Sequence, residues 1–242
     1  MRSLRDVLVS ATVAGLIAGG LAAGFHAALT EPVIDRAIAA EDARHGTAGH
    51  SHEAPVVSRR AQKIGLVVGL LLYGAIWGVL VGMALHLTRG LAPAGWRLGR
   101  WGVVVASLTG WAVALFPFLK YPGNPPGVGE PDTIGYRQAL YVAFVVLSAL
   151  GVWLAAALRR RARGGAPRPR GWIAPALFYA AWALGLYALM PPNPDPVSLS
   201  VEIVRPFRAL SLAGLVVFWA ALGLGLALLL RTEPAPRRRV AR

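Results

Sequence analysis

The chain predicts an all-α integral membrane protein, a bundle of six transmembrane helices, and three observations carry that prediction. Hydrophobic residues fill 56% of the 242 positions and the mean hydropathy is +0.54, well outside the range of an ordinary water-soluble domain. Only 15% of the residues are charged. The apolar stretches match the ~20 helical residues needed to cross a hydrocarbon core of ~30 Å.

The first span is read at 7–29, behind Met1-Arg2-Ser3-Leu4-Arg5-Asp6. It outruns the ~7–15 apolar residues of a signal peptide, so it is expected to remain as an anchor helix. Gly15-x3-Gly19 and Gly20-x3-Gly24 give it small-residue faces on which a second helix can pack closely. The second span, 64–87, carries the clearest such face, Gly74-x3-Gly78-x3-Gly82. The remaining spans are read at 102–119, 138–158, 172–190 and 209–230, and none of the six cores holds Asp, Glu, Lys or Arg. One transmembrane domain, 1–230, is expected, followed by a basic tail, 231–242.

The net charge of +14 would suggest nucleic acid if the chain were soluble, but its distribution gives a different answer. The N-terminus, the 88–101 and 159–171 loops and the tail hold sixteen arginines against only Asp6 and Glu233. The other loops hold nine basic and nine acidic residues. The whole excess falls on one face, which the positive-inside rule assigns to the cytoplasm. Both termini are therefore expected inside a bacterial plasma (inner) membrane, with 30–63, 120–137 and 191–208 outside. Topology and the anionic inner leaflet account for the charge without nucleic acid.

The alternation gives three hairpins, and the second and third look alike. Lys120-Tyr-Pro122-Gly-Asn124-Pro125-Pro126 is echoed by Leu189-Met-Pro191-Pro-Asn193-Pro194-Asp195; Trp111-Ala112 is echoed by Trp182-Ala183, and Tyr136-Arg137 by Phe207-Arg208. The pattern fits either a direct repeat, which keeps orientation across two spans, or two independently proline-rich loops. The first hairpin fits loosely, through Leu29-Thr-Glu31-Pro32. Because proline fixes φ and stops helices, the outer turns are expected to be firm and non-helical, presenting Glu31, Glu130, Asp132, Asp195 and Glu202 as an acidic rim.

Coordination chemistry is concentrated in the 30–63 loop. Three of the five histidines, His45, His50 and His52, fall there beside Glu41, Asp42 and Glu53. Imidazole suits Zn, Cu, Ni and Co, and with no cysteine in the chain no thiolate site competes. The spacing H-x4-H-x-H with Gly46 and Gly49 reads as a pliable collecting tract rather than a preformed cage. His26, about a turn before Glu31, and His86, near the opposite end of the second span, are ionisable groups in the bilayer region, which makes them functional candidates. The chain has no G-x4-GK[ST] phosphate loop, no HExxH and no G-x-S-x-G elbow, so no enzyme is expected.

The combination of His26-Ala-Ala-Leu-Thr-Glu31-Pro32, Gly49-His50-Ser-His52-Glu53, Pro122 to Pro126 and Pro131-Asp-Thr133 resembles the CbtA family of predicted cobalt transporter subunits over essentially the whole chain. The resemblance implies uptake of a divalent metal, Co2+ for cobalamin synthesis, with Ni2+ or Zn2+ as other candidate ions and no permanently bound cofactor. It also implies a small single-span partner of the CbtB kind. Carried onto this chain, His50 and His52 capture metal with Glu53 and His45 beside them, and His26 with Glu31 lies at the mouth of the path. The family is usually described with five spans, against the six read here. The competing reading is a membrane metal sensor or scaffold that binds ions and conducts none.

Overall fold

The computed structural model describes residues 3–47, 57–93, 95–126, 128–161, 171, 173–195, 197 and 199–231. Among them it is helical, with helices α1 (Leu4–Phe25), α2 (Glu31–Thr47), α3 (Arg59–Thr88), α4 (Leu98–Gly110), α5 (Phe116–Lys120), α6 (Ile134–Arg161), α7 (Ile173–Leu189) and α8 (Val201–Leu229). Two wide π-turns join consecutive helices without a break: His26–Thr30 links α1 to α2, and Trp111–Leu115 links α4 to α5. Short 3-10 turns lie at Arg89–Leu91 and Pro131–Thr133.

Among the described residues five continuous helical rods are long and apolar enough to cross a membrane: Leu4–Ala43, Arg59–Leu91, Leu98–Lys120, Pro131–Arg161 and Val201–Leu229. Ile173–Leu189 is equally apolar but has 17 residues, the lower limit for a span. The all-α membrane bundle is as predicted, and the six-span count agrees with five long helices and one short one. The third span, the shortest in the sequence reading, lies within a 23-residue rod.

The structure departs from the reading at Pro32, whereas 121–126 and 190–195 are non-helical as expected. Pro32, Pro117 and Pro206 do not stop helices; they lie inside or within the first turn of one. Proline lacks an N–H, and in a regular helix its ring collides with the carbonyl four residues back. Before Pro32 the N–H of Glu31 reaches back five residues to the His26 carbonyl, and before Pro117 the N–H of Phe116 reaches the Trp111 carbonyl. The extra residue in each turn relieves the collision while the neighbouring backbone groups stay paired, which a hydrocarbon environment demands. The first rod therefore runs 40 residues, or ~60 Å at 1.5 Å per residue, twice the hydrocarbon thickness. The 30–63 segment is helical as far as Thr47, so His45 sits on the last turns of α2 instead of in a loop. Of the five rim acids, Glu31 and Glu202 are helical, Asp132 is in a 3-10 turn, and Glu130 and Asp195 lie in irregular backbone.

The contacts gather the chain into two compact units. One comprises 1–107, 124–128 and 198–242; the other comprises 108–123 and 129–197. In the first unit α1 packs against α3 and α8. A capping box starts α1: the Ser3 hydroxyl accepts from the Asp6 N–H at 3.2 Å and the Asp6 carboxylate accepts from the Ser3 N–H at 3.0 Å, pairing two donors that would otherwise be orphaned. The α1–α3 contact is backbone on backbone. A Cβ on Gly15 would strike the Gly74 carbonyl, one on Gly74 would strike the Gly15 carbonyl, and one on Gly78 would lie 2.5 Å from the Ala11 carbonyl. Gly20 and Gly24 take no part in this backbone contact: a Cβ on Gly24 meets nothing within 4 Å, and one on Gly20 meets only the Leu71 side chain, at 3.9 Å. Gly225 of α8 closes on Ala14 from another side, and Tyr73 and Trp77 of α3 pack on Phe218 and Trp219 of α8.

In the second unit the core is Phe116, Phe144 and Leu186, flanked by Trp111, Tyr121 and Leu147. The Trp111 indole stacks on Phe116 and donates to the Tyr179 hydroxyl at 2.6 Å. Trp182 lies over Gly151 and donates to the Leu147 carbonyl at 3.0 Å, so the tryptophans pack apolar rings while meeting their one polar obligation.

Gly74→Val should lower the thermal midpoint of the detergent-solubilised protein by an amount equivalent to roughly 1–3 kcal/mol or more, the cost of forcing volume into a close-packed contact. Gly24→Ala should leave it unchanged or slightly raised. Equal effects of the two substitutions would show that the α1–α3 contact is not made through Gly74.

Candidate metal-binding region

The sequence candidates fall into three groups. His26 and Glu31 flank the first π-turn, His45 lies near the end of α2, and His50, His52 and Glu53 lie outside the described residues. Counted along the helix, His45 stands ~21 Å of rise beyond Glu31. Among the described residues no group of three or more His, Asp or Glu is close enough to share a metal ion.

The π-turn sets the environment of His26. Its Nδ1 and the Thr30 hydroxyl are 2.9 Å apart, and its ring meets Phe25 edge-on. The Nε2 edge lies against the backbone of Gly214 in α8, where a Cβ would strike Nε2; glycine there makes room for the imidazole. Thr30 is buried at 4% exposure. With Nδ1 engaged by Thr30, the nitrogen left for any other partner is Nε2, on the α8 side.

Glu31 is one residue further on and also buried, at 6% exposure. Its carboxylate is occupied: Arg59 donates to it at 2.7 Å, and the Lys63 ammonium is 3.7 Å away. Asp35, a turn later on the same face, accepts from Arg59 Nε at 3.1 Å and from Lys63 at 3.1 Å. Two carboxylates on α2 thus face two cations on α3, at positions separated by one turn on each helix. Asp35 lies on the part of the first rod beyond the apolar span, and hydrogen bonds from Arg59 and then Lys63 hold its carboxyl below the ordinary carboxylate range. From sequence Glu31 is expected on an open acidic rim; in the structure it has counter-ions from its own chain, Arg59 and Lys63.

The rim acid Asp195, in the second unit, is likewise taken. Its side chain is 2% exposed. It accepts from the Glu130 N–H at 3.0 Å and the Thr133 hydroxyl at 2.9 Å, and it pairs with Arg137 at 3.0 Å. Gly129 makes this closure possible: its φ is +104°, and a Cβ there would lie 2.8 Å from the Asp195 carboxylate, a conformation and a clearance that favour glycine. In the first unit, Arg208 donates to the Asn124 side chain at 2.7 Å.

These contacts sharpen the internal repeat. Arg137 and Arg208 are 71 positions apart, as are Trp111 and Trp182, and so are Asn124 and Asp195. The arginine opening each return helix takes the side chain at the corresponding point of the other hairpin's loop. Matching the loops on their asparagines, as the sequence suggested, pairs Asn124 with Asn193; the contacts pair it with Asp195. The first hairpin shares the π-turn, since His26–Thr30 before Glu31-Pro32 has the same construction as Trp111–Leu115 before Phe116-Pro117.

A family model described as probable cobalt transporter subunit (CbtA) matches residues 4–231. The chain belongs to the CbtA family. The matched residues include both π-turns, the Arg59 cluster and the Asp195 site. Neither the curated proteins nor the solved structures include a significant match.

Asp195→Ala should destabilise the protein by roughly 2–4 kcal/mol, because it removes the counter-ion of Arg137 and the acceptor of the Glu130 N–H, leaving Arg137 and Thr133 only the Glu130 carbonyl. Asp195→Asn, which keeps acceptor capacity, should cost less. Equal losses in thermal-unfolding measurements would contradict the assigned bonding. For Asp35 the sign follows from its lowered pKa: its contribution is present above the unfolded-state value and is lost as pH falls through the lower folded one. Asp35→Asn should therefore flatten the acid limb of the stability profile; an unaltered limb would contradict the pairing.

Proposed function

We propose that the protein takes up Co2+ for cobalamin synthesis, as one subunit of a transporter in the bacterial plasma membrane with both termini in the cytoplasm. Ni2+ and Zn2+ are the other ions its ligand types suit, and a small single-span subunit of the CbtB kind is its expected partner. Membership of the CbtA family over 4–231 is the observation that carries this reading, and the one-sided distribution of arginine supports the orientation.

The first step is capture. His50, His52 and Glu53, with His45 at the end of α2, bind the cation weakly and exchangeably outside the membrane, raising its local concentration. Next comes entry, at the π-turn, where His26 and Glu31 lie at the mouth of the path. Arg59 and Lys63 already neutralise Glu31, so an arriving dication has to displace or share those counter-ions, which keeps the affinity of this place modest. Passage requires no bond-making chemistry.

The test is initial-rate uptake of 57Co2+ in cells expressing the protein and its partner. His50→Ala with His52→Ala should raise the half-saturating concentration several-fold while leaving the maximal rate largely intact, as expected of a collector. Wild-type uptake should fall as the outside is acidified from about pH 7.5 to 5.5, because a protonated imidazole cannot ligate metal. Unchanged kinetics in the double variant would remove the loop from the mechanism.

One observation favours the second reading, a metal-binding scaffold without flux: the carboxylates of Glu31, Asp35 and Asp195 are all held by arginine or lysine. Purified protein in proteoliposomes, alone and with its partner, separates the two. Metal binding without 57Co2+ entry in either preparation would establish the scaffold.

A further inference from the structure

Beside the Arg59 cluster, on the first unit, a groove of about 640 Å³ runs between Ala27 in the π-turn and the first three turns of α3; it is lined by Arg59, Arg60, Lys63, Ile64, Val67 and Val68. Positions 60, 63, 64, 67 and 68 follow the 3–4 residue rhythm of a single helix face. The face is divided by chemistry. Over ~12 Å of helix rise from Arg60 to Val68 its first turn is cationic and the remainder, from Ile64 on, is aliphatic. Ile64 and Val68 are 57% and 50% exposed, so in a membrane this wall is lipid-facing, and Ala27 is too small to fill the recess opposite it.

The charges do not cancel within the cluster. Glu31 and Asp35 are shared between Arg59 and Lys63, whereas Arg60 enters no ion pair among the described residues. A surplus positive charge therefore stands at the polar end of an apolar groove, where the helix enters the bilayer. A zwitterionic lipid offers this surplus no net charge. An anionic one places its phosphate at Arg60 and Lys63 and its proximal acyl chain along Ile64, Val67 and Val68. We propose that this groove is a binding site for an anionic phospholipid, held by Arg60 and Lys63 through its phosphate. Bound there, the lipid covers the flank of the α1–α3 pair beside the π-turn, next to Glu31.

The test uses the full-length protein in nanodiscs of phosphatidylglycerol and phosphatidylcholine, each doped in turn with a matching probe carrying a diazirine in its acyl chain. After irradiation, adducts are mapped by mass spectrometry. The phosphatidylglycerol probe should label 60–68 several-fold more than the phosphatidylcholine probe, a comparison that needs no substitution. Arg60→Gln should reduce phosphatidylglycerol labelling roughly fivefold, the weight of one basic side chain near an anionic lipid, and leave phosphatidylcholine labelling unchanged. Equal labelling by the two probes, or phosphatidylglycerol labelling that survives Arg60→Gln with Lys63→Gln, would overturn the site. Loss of labelling on adding millimolar glycerol phosphate would instead identify a soluble phosphate ligand and overturn the lipid assignment.

Discussion

The constraint on which the rest of this structure depends is the need to carry proline through a helix in a medium that hydrogen-bonds to nothing. A break at Pro117 would leave carbonyls and amides unpaired, at several kcal/mol each in hydrocarbon, and one at Pro32 would leave the last carbonyls of the first span without partners. The π-turns at His26–Thr30 and Trp111–Leu115 avoid that by inserting one residue ahead of the proline. Each insertion also turns the following helix relative to the preceding one. In the first rod this brings Glu31 and Asp35 to Arg59 and Lys63 and sets the His26 ring against Gly214. In the third it sets Trp111 against Phe116 and Tyr179.

The functional consequence is spatial. Because α2 continues the first rod, His45 is carried ~21 Å of helix rise beyond Glu31, and the histidine-rich segment follows from there. On the proposed reading collection and entry are separate places, which suits weak exchangeable capture followed by transfer. Glu31 and Asp35 are balanced by Arg59 and Lys63, so a dication entering there on the proposed reading meets a contested carboxylate rather than an open one. The same economy appears at Asp195, whose carboxylate closes the 129–137 loop through Thr133 and Arg137 and is a structural acid.

Much of this was legible in the residues. Hydropathy located the long apolar helices among the described residues, and the glycine pattern identified the packing faces, although only contacts could separate Gly15 and Gly19, where backbones touch, from Gly20 and Gly24, where they do not. What could not be read was the outcome at proline. A helix stop and a π-turn begin from the same local sequence, and the choice is made by burial and by neighbours. Arg59 and Lys63 escaped notice for a related reason: they pair with Glu31 and Asp35 across 24 to 32 positions, visible only once α2 is known to be a helix beside α3. The repeat was visible, but its register needed the contacts that Arg137 and Arg208 make.

The continuity of the first rod through Pro32 is open to direct measurement, and the absence of cysteine makes the chain a clean background for paired labels. Nitroxides at Gly24→Cys and Ala39→Cys lie on exposed positions, fifteen residues apart along the rod. Pulsed electron–electron resonance in nanodiscs should give a backbone separation of ~22 Å, the rise of an unbroken helix. A chain reversal at Pro32 would bring the same positions to ~10 Å, the spacing of two packed helices; a distance in that range would contradict the account.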